Sequence, residues 1–413
     1  IWTLAGLADS DADLGTLKID AEHEFSARHN VRCMSGDGHH LVTSQGQEAT
    51  LWITEPGRRR AESESLGVSL EYLLREFGEY ACKVSKLSDP TFRNLKEAIW
   101  TGPAPQHFSG SDTRLCPRDD RPGCSIVDVL QDTGASCQAT HFLSWTWSYN
   151  ISTMLTGLSR WAKSSEAKLD QTFIWICFFV NNQYRILLDG KAIGSDDLGA
   201  TFAARLQSCG HVLVLLDTFK DPSYVKRVWC VYETYQATKL GVPLDVVLPD
   251  EAFEMLTRDL KGGRLEDIKR SLTNVHVEDA TAWSKTDEEN IKKEIRETTG
   301  YERVNDAVTG FLSKWIVSSF EQIVNSASTP GLSSKDAGET EMTADVTMLQ
   351  QQLRECRRQL QAKDEELRHK DAVISELQAH LRHYKAKEDD TAAVVGHPVS
   401  VIWGLRDEDP PQI

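Results

Sequence analysis

Between Thr140 and Pro249 the chain alternates short apolar runs with segments of helical period. The apolar runs are His141 to Trp145, Thr172 to Val180, His211 to Leu216 and Leu244 to Leu248. Each is rich in β-branched or aromatic side chains and stops at a polar or turn-forming residue, as a strand buried on both faces of a parallel sheet does. Ile151 to Ala162, Leu198 to Cys209 and Tyr224 to Leu240 carry apolar residues at helical spacing. Alternation of strand and helix predicts an α/β fold built on an open parallel sheet with right-handed crossovers.

Open α/β sheets bind ligands beyond the carboxyl ends of their strands. The predicted strands end in Ser144-Trp145-Thr146-Trp147, in Asn181-Asn182-Gln183-Tyr184 and in Asp217-Thr218. Glu233 lies one turn beyond Trp229 on the following helix, and both share a predicted stripe with Lys226. Polar and aromatic side chains therefore gather along one sheet edge, the expected candidate site.

The flanks follow other patterns. Residues 1–55 read as β, and the stretch from His29 to Trp52 resembles a single WD-repeat blade, with Ile1-Trp2 closing an earlier one. Such a segment would dock a protein partner. Residues 56–101 read as a linker and helical connector, and 102–138 as an irregular lead-in loop rich in Gly, Pro, Ser and Asp. The α/β domain is expected over 139–324, including C-terminal helices, and a flexible linker over 325–345. Val346, Leu353, Leu360, Leu367, Ile374 and Leu381 then recur every seven residues, which predicts a coiled coil over 346–386. A disordered tail is expected over 387–413, apart from a short docking segment at Val399 to Trp403.

Composition narrows the function classes. The formal charge of −16 argues against nonspecific binding to nucleic acid or to an anionic membrane. No apolar run has the length of a membrane helix. The nine cysteines are an odd number and scattered, which points to reduced thiols and a cytoplasmic setting. His39-His40 near Cys33, and Cys116, Cys124, Cys137 and His141, lack zinc-site spacing, so no metal is expected. Walker loops, Gly-x-Gly-x-x-Gly turns, His-Glu-x-x-His helices and nucleophile elbows do not occur. A chain opening on Ile1 rather than Met fits a fragment or a processed form.

Phe142-Leu143-Ser144, the Asn182-Gln183-Tyr184 loop, Arg227 and Trp229-Cys230-Val231-Tyr232-Glu233 together resemble the Toll/interleukin-1 receptor (TIR) family and its divergent algal relatives. The resemblance runs from about Thr140 to Ala237 and more faintly to Ile323. One departure is Trp175-Ile176-Cys177-Phe178, where many relatives carry an acidic residue. The resemblance implies a flavodoxin-like sheet and two functions. In the first, an adaptor self-associates through the α/β domain and the coiled coil. In the second, the domain hydrolyses NAD as a substrate, with no bound cofactor and with Glu233 as the catalytic carboxylate. Trp145, Trp147 and Tyr184 would then stack on the ligand and the loop from Asn181 to Gln183 would order around it. Ser144, Asp217, Arg227 and Trp229 would complete the binding edge.

Overall fold

Val212 to Leu215 are wholly buried, and the strand they form is flanked on both sides by parallel partners. This central stack organises the computed structural model, which describes residues 30–34, 40–45, 48–53, 55–188, 198–328 and 339–394. The chain divides into two units, residues 1–349 and 350–413.

In chain order the first unit begins with β1 (Asn30–Met34), β2 (His40–Gln45) and β3 (Glu48–Ile53), a three-stranded antiparallel sheet. Then follow α1 (Glu55–Glu64), β4 (Leu66–Ser69), α2 (Leu70–Tyr72), α3 (Gly78–Ser85), α4 (Phe92–Lys96), α5 (Ile126–Leu130) and β5 (Ser136–Gln138). The α/β alternation comprises β6 (His141–Ser144), α6 (Ile151–Ser164), β7 (Phe173–Trp175), α7 (Cys177–Val180), α8 (Leu198–Cys209), β8 (Val212–Leu215), α9 (Val228–Leu240) and β9 (Leu244–Val247). Helices α10 (Asp250–Lys261), α11 (Leu265–Leu272), α12 (Lys285–Thr298) and α13 (Tyr301–Ser328) complete the elements before α14 (Glu339–Val394). The second unit is carried by the continuation of α14, a single unbroken helix.

The main sheet has six strands in the order β5-β4-β7-β6-β8-β9. Strands β7, β6, β8 and β9 are mutually parallel, whereas β4 runs against both its neighbours. The alternating pattern thus yields an α/β fold on a mixed, mostly parallel sheet. Strand β6 comes first among the parallel four yet lies between β7 and β8, so the chain winds to one side and then crosses to the other. In sheets of this kind ligands sit beyond the strand ends at such a reversal, here the carboxyl ends of β6 and β8. On one face α6 packs tightly, because a Cβ on Gly157 would meet Val247 Cγ1 at 3.0 Å and Leu215 Cδ1 at 3.1 Å. Strand side chains alternate between faces. Val214, and Ser144 beside it in register, therefore face the other way, toward α9.

Three expectations change. Leu66 to Ser69 and Ser136 to Gln138, placed by sequence in the connector and the lead-in loop, supply two strands of the main sheet. Both are too short for a period to show, and tertiary pairing rather than local propensity makes them strands: β4 lies against β7, and β5 against β4. The run from Thr172 to Val180 stops as a strand at Trp175, and Cys177 to Val180 make one helical turn. An apolar run of that length does not distinguish the two states. The expected helix from Tyr224 breaks at Arg227, whose backbone is extended (φ −109°, ψ 116°), and α9 starts at Val228. Ile1-Trp2, His39 and the segment from Val399 to Trp403 lie outside the described residues. Of the expected linker, 325–328 belong to α13 and 339–345 to α14.

No helix among the described residues is long and apolar enough to cross a membrane. Gly67 is fixed by space: a Cβ there would lie 2.9 Å from the backbone of Phe173 and Ile174. Backbone on both sides cannot yield cheaply, so Gly67→Val should destabilise the domain by about 1–3 kcal/mol. Urea unfolding measures this, and an unchanged midpoint would show that β4 is dispensable to the sheet.

Candidate active site at the strand ends

The site grows from Ser144, the last residue of β6 and completely buried. A serine hydroxyl removed from water needs partners, and here it has two. Its Oγ donates to the carboxylate of Glu233 on the second turn of α9, and lies 2.5 Å from the Tyr224 hydroxyl. Tyr224, itself fully buried, is 2.7 Å from Thr234 Oγ1 and 3.1 Å from the carbonyl oxygen of Cys230. One consistent proton assignment runs Thr234 to Tyr224 to Ser144 to Glu233, each hydroxyl donating onward. Four side chains from β6, the turn before α9 and α9 itself therefore form one relay ending on a carboxylate.

Glu233 is only partly exposed. Burial pushes its carboxyl up to about 8, while the hydrogen bond from Ser144 pulls the other way. Among the described residues no Lys, Arg or His lies within ion-pair distance of it. Lys226, expected on the same helical stripe, pairs instead with Asp221 at 2.6 Å. The carboxylate is thus partly desolvated and, among the described residues, without a compensating cation, an arrangement concentrated at functional sites.

Two thiols enclose it. Cys230 is buried and donates to the Trp145 carbonyl oxygen at 3.2 Å. Burial, then the charge of Glu233, holds its thiol well above the ordinary range. Cys177 receives Trp147 Nε1–H at 3.4 Å, and its thiol is pushed up to about 11, chiefly by burial. Both cysteines are therefore neutral walls rather than nucleophiles.

The predicted residues divide between this centre and other tasks. Trp145 is buried, with its ring edge-on to Phe92 at 4.2 Å and its Nε1 without a hydrogen-bond partner. Trp147 is partly exposed and lies nearly parallel to Trp145, with ring centres 6.5 Å apart. Gln183 is buried and donates to the Cys177 carbonyl oxygen at 3.3 Å. Trp229 is partly exposed, one turn before Glu233 on α9. Arg227 occupies the N-cap position of α9, and its positive charge favours the thiolate of Cys230. These residues the structure brings together around Ser144 and Glu233.

Asn182, Tyr184 and Asp217 are committed elsewhere. Asn182 is buried and donates to the Gly123 carbonyl oxygen at 2.9 Å, while its own side-chain oxygen accepts from the Tyr184 amide. The Tyr184 hydroxyl is 3.0 Å from Ser111 Oγ and 3.1 Å from His107 Nδ1. Both side chains tie the lead-in loop to the segment after α7. Asn181 is partly exposed, and its amide hydrogen-bonds the Cys177 carbonyl oxygen. Asp217 shapes the turn after β8, accepting from Ser223 Oγ at 2.6 Å and from two backbone amides. Tyr224, Thr234 and Cys177 had escaped sequence reasoning as site residues. Tyr224 lies 80 residues from Ser144, and no spacing rule joins them.

No group of three or more His, Cys, Asp or Glu among the described residues is placed to hold a metal ion. The described cysteines are free thiols. No protein-family model matches the sequence, and no curated protein or solved structure matches it either.

A carboxyl raised from 4.5 to about 8 keeps its proton in the fold after the unfolded chain has lost it. Stability should therefore fall as pH rises between those values, by ~1.4 kcal/mol per unit, and level off above the upper one. Glu233→Gln should lack that slope, so unfolding of both proteins at about pH 5 and about pH 8 measures it. Equal slopes would place the Glu233 titration near its ordinary value.

Proposed function

We propose that this chain is a TIR-like protein that hydrolyses the N-glycosidic bond between nicotinamide and ribose in NAD, with Glu233 as the catalytic carboxylate. The observation that carries this is a desolvated carboxylate without a cation, set at the point where the strand order reverses. An anion kept out of water and left uncompensated binds an incoming positive charge strongly. NAD brings one in its pyridinium ring, and bond cleavage shifts it to the ribose as an oxocarbenium-like centre. Glu233 would stabilise that centre and hold a ribose hydroxyl. Water supplies the oxygen that replaces nicotinamide, and one proton is released with the products, nicotinamide and ADP-ribose.

Supporting this, the order of the parallel strands, second-first-third-fourth, is the start of the flavodoxin-like order that places ligands at the same crossing. Ser144 acts as a positioning residue, because it orients the carboxylate and favours its ionised form. Trp147 and Trp229, both partly exposed near the carboxylate, are the surfaces on which a ring would pack.

A second function, self-association as an adaptor, is supported by α14. Its heptad leucines Leu360 and Leu367 are partly exposed and Leu377 is 61% exposed. A helix with such a seam would gain burial by pairing with a second copy, and the N-terminal β segment would then be free to dock a protein partner in the cytoplasm. Assembly would also raise the local concentration of active sites.

Nicotinamide release by the full chain tests the enzyme. Glu233→Gln should lower kcat at least ~100-fold. Wild-type kcat/KM should rise with pH up to about 8, where Glu233 ionises, because the carboxylate is the active form. Ser144→Ala removes the bond that favours ionisation and should move that limb to higher pH. No release from a self-associated wild-type sample, checked by sedimentation, would discard the enzyme and leave the adaptor.

A further inference from the structure

Trp283 is the most exposed of the large hydrophobic side chains described, at 73%. It is nevertheless held in a fixed place. The amide of Thr281 donates to the Lys226 carbonyl oxygen at 2.9 Å, and the amide of Val228 donates to that of Thr281 at 3.1 Å. On the other side Ala282 hydrogen-bonds Glu288 at 3.0 Å, and Ser284 caps α12. An indole braced at both ends of its loop and left in water is poised for a ligand rather than for the core.

Two cations sit on it. Arg93 lies over the ring with its guanidinium carbon 4.4 Å from the centroid, and Lys96 Nζ lies at 5.9 Å. Both come from α4, where buried Phe92 and Leu95 face inward and leave positions 93 and 96, one turn apart, on the outer side. A capping box between Thr91 and Asn94 fixes the start of that helix. Among the described residues neither cation forms an ion pair. In a chain with 62 acidic and 46 basic residues, two unpaired cations on one indole are a local reversal of sign.

The platform adjoins the proposed active site from two directions. Phe92 of α4 is the ring against Trp145 at the end of β6. Thr281 is bridged to Arg227, which opens α9, and Glu233 follows six residues later, about 9 Å along the helix axis.

We propose that Trp283, Arg93 and Lys96 form a subsite for the purine nucleoside diphosphate half of a dinucleotide. A purine stacks on the open face of the indole while the guanidinium covers the other, and the phosphates pair with the cations. The subsite rests on the assignment of Glu233 to glycosidic-bond cleavage for its place in a reaction, but its binding is separable from turnover. A single-stranded nucleic acid would meet the same stacking surface, yet the strongly negative chain around it repels a polyanion. A short ligand with two phosphates fits the local patch.

Calorimetric titration of the full chain with ADP tests this, with adenosine and inorganic phosphate as partial ligands. Trp283→Ala and the double variant Arg93→Ala/Lys96→Ala should each weaken ADP by about tenfold or more. In NAD cleavage the same variants should raise KM by a similar factor and leave kcat within about twofold, since remote binding here is uniform. ADP binding that depends on Trp283 in a chain without nicotinamide release would uphold the subsite and discard the hydrolase. Glu233-dependent cleavage with unchanged KM and unchanged ADP affinity in both platform variants would overturn the subsite. So would the absence of ADP binding to the wild-type chain, or tighter binding of a single-stranded oligonucleotide than of ADP at the platform.

Discussion

An ionisable carboxyl set at the end of β6, with no cation among the described residues to compensate it, is the constraint on which the site depends. Dehydrating such a group is expensive unless it is protonated or charge-compensated. Among the described residues its hydrogen-bond donor is a hydroxyl that is itself held by a buried tyrosine. The surrounding elements can be understood as what keeps that arrangement standing. Strand β6 delivers Ser144, the turn before α9 delivers Tyr224, and α9 returns over both with Glu233 and Thr234. Removing Ser144 would strip Glu233 of its described donor and Tyr224 of one of its partners, a larger loss than the bond itself.

The lead-in loop supports the same constraint at one remove. Asn182 and Tyr184 tie it down through Gly123, Ser111 and His107, and Arg118 reaches the Val180 carbonyl oxygen at 2.6 Å. These contacts hold the turn after β7, so that Cys177 and Gln183 close one wall of the crevice. Below them a cluster of rings, including Phe77, Phe92, Phe178 and Phe179, fills the space between α4, α7 and the strand ends. Rigid walls of this kind keep water out and prevent local rearrangement from relaxing the raised carboxyl.

Burial and charge thus set two opposite demands near one another. Among the described residues the strand-end site is short of positive charge, whereas the platform of Trp283, Arg93 and Lys96 has positive charge without an acidic partner. A ligand carrying a cation at one end and phosphates at the other would satisfy both, whereas a uniformly charged molecule would satisfy only one and a neutral molecule neither.

Much of this was legible from the residues alone. The runs around Phe142, Val212 and Leu244 announced parallel strands because burial on both faces demands continuous apolar side chains. Ser144 and Glu233 were readable as neighbours because strand ends and the following helix converge on one edge of such a sheet. Strands β4 and β5 were not readable, since three or four residues have no period, and only their neighbours in the sheet, β7 beside β4 and β4 beside β5, make them strands. Nor was the role of Tyr184 readable. An aromatic residue at a strand end looks the same whether it awaits a ligand or anchors a distant loop. What the order of amino acids determined by itself was the α/β alternation and the edge where chemistry gathers. Tertiary structure decided which polar groups share a hydrogen-bonded cluster, which carboxyl is partly withdrawn from water, and which of the described cations form no ion pair. Those outcomes depend on contacts between residues far apart in the chain, and no local pattern encodes them.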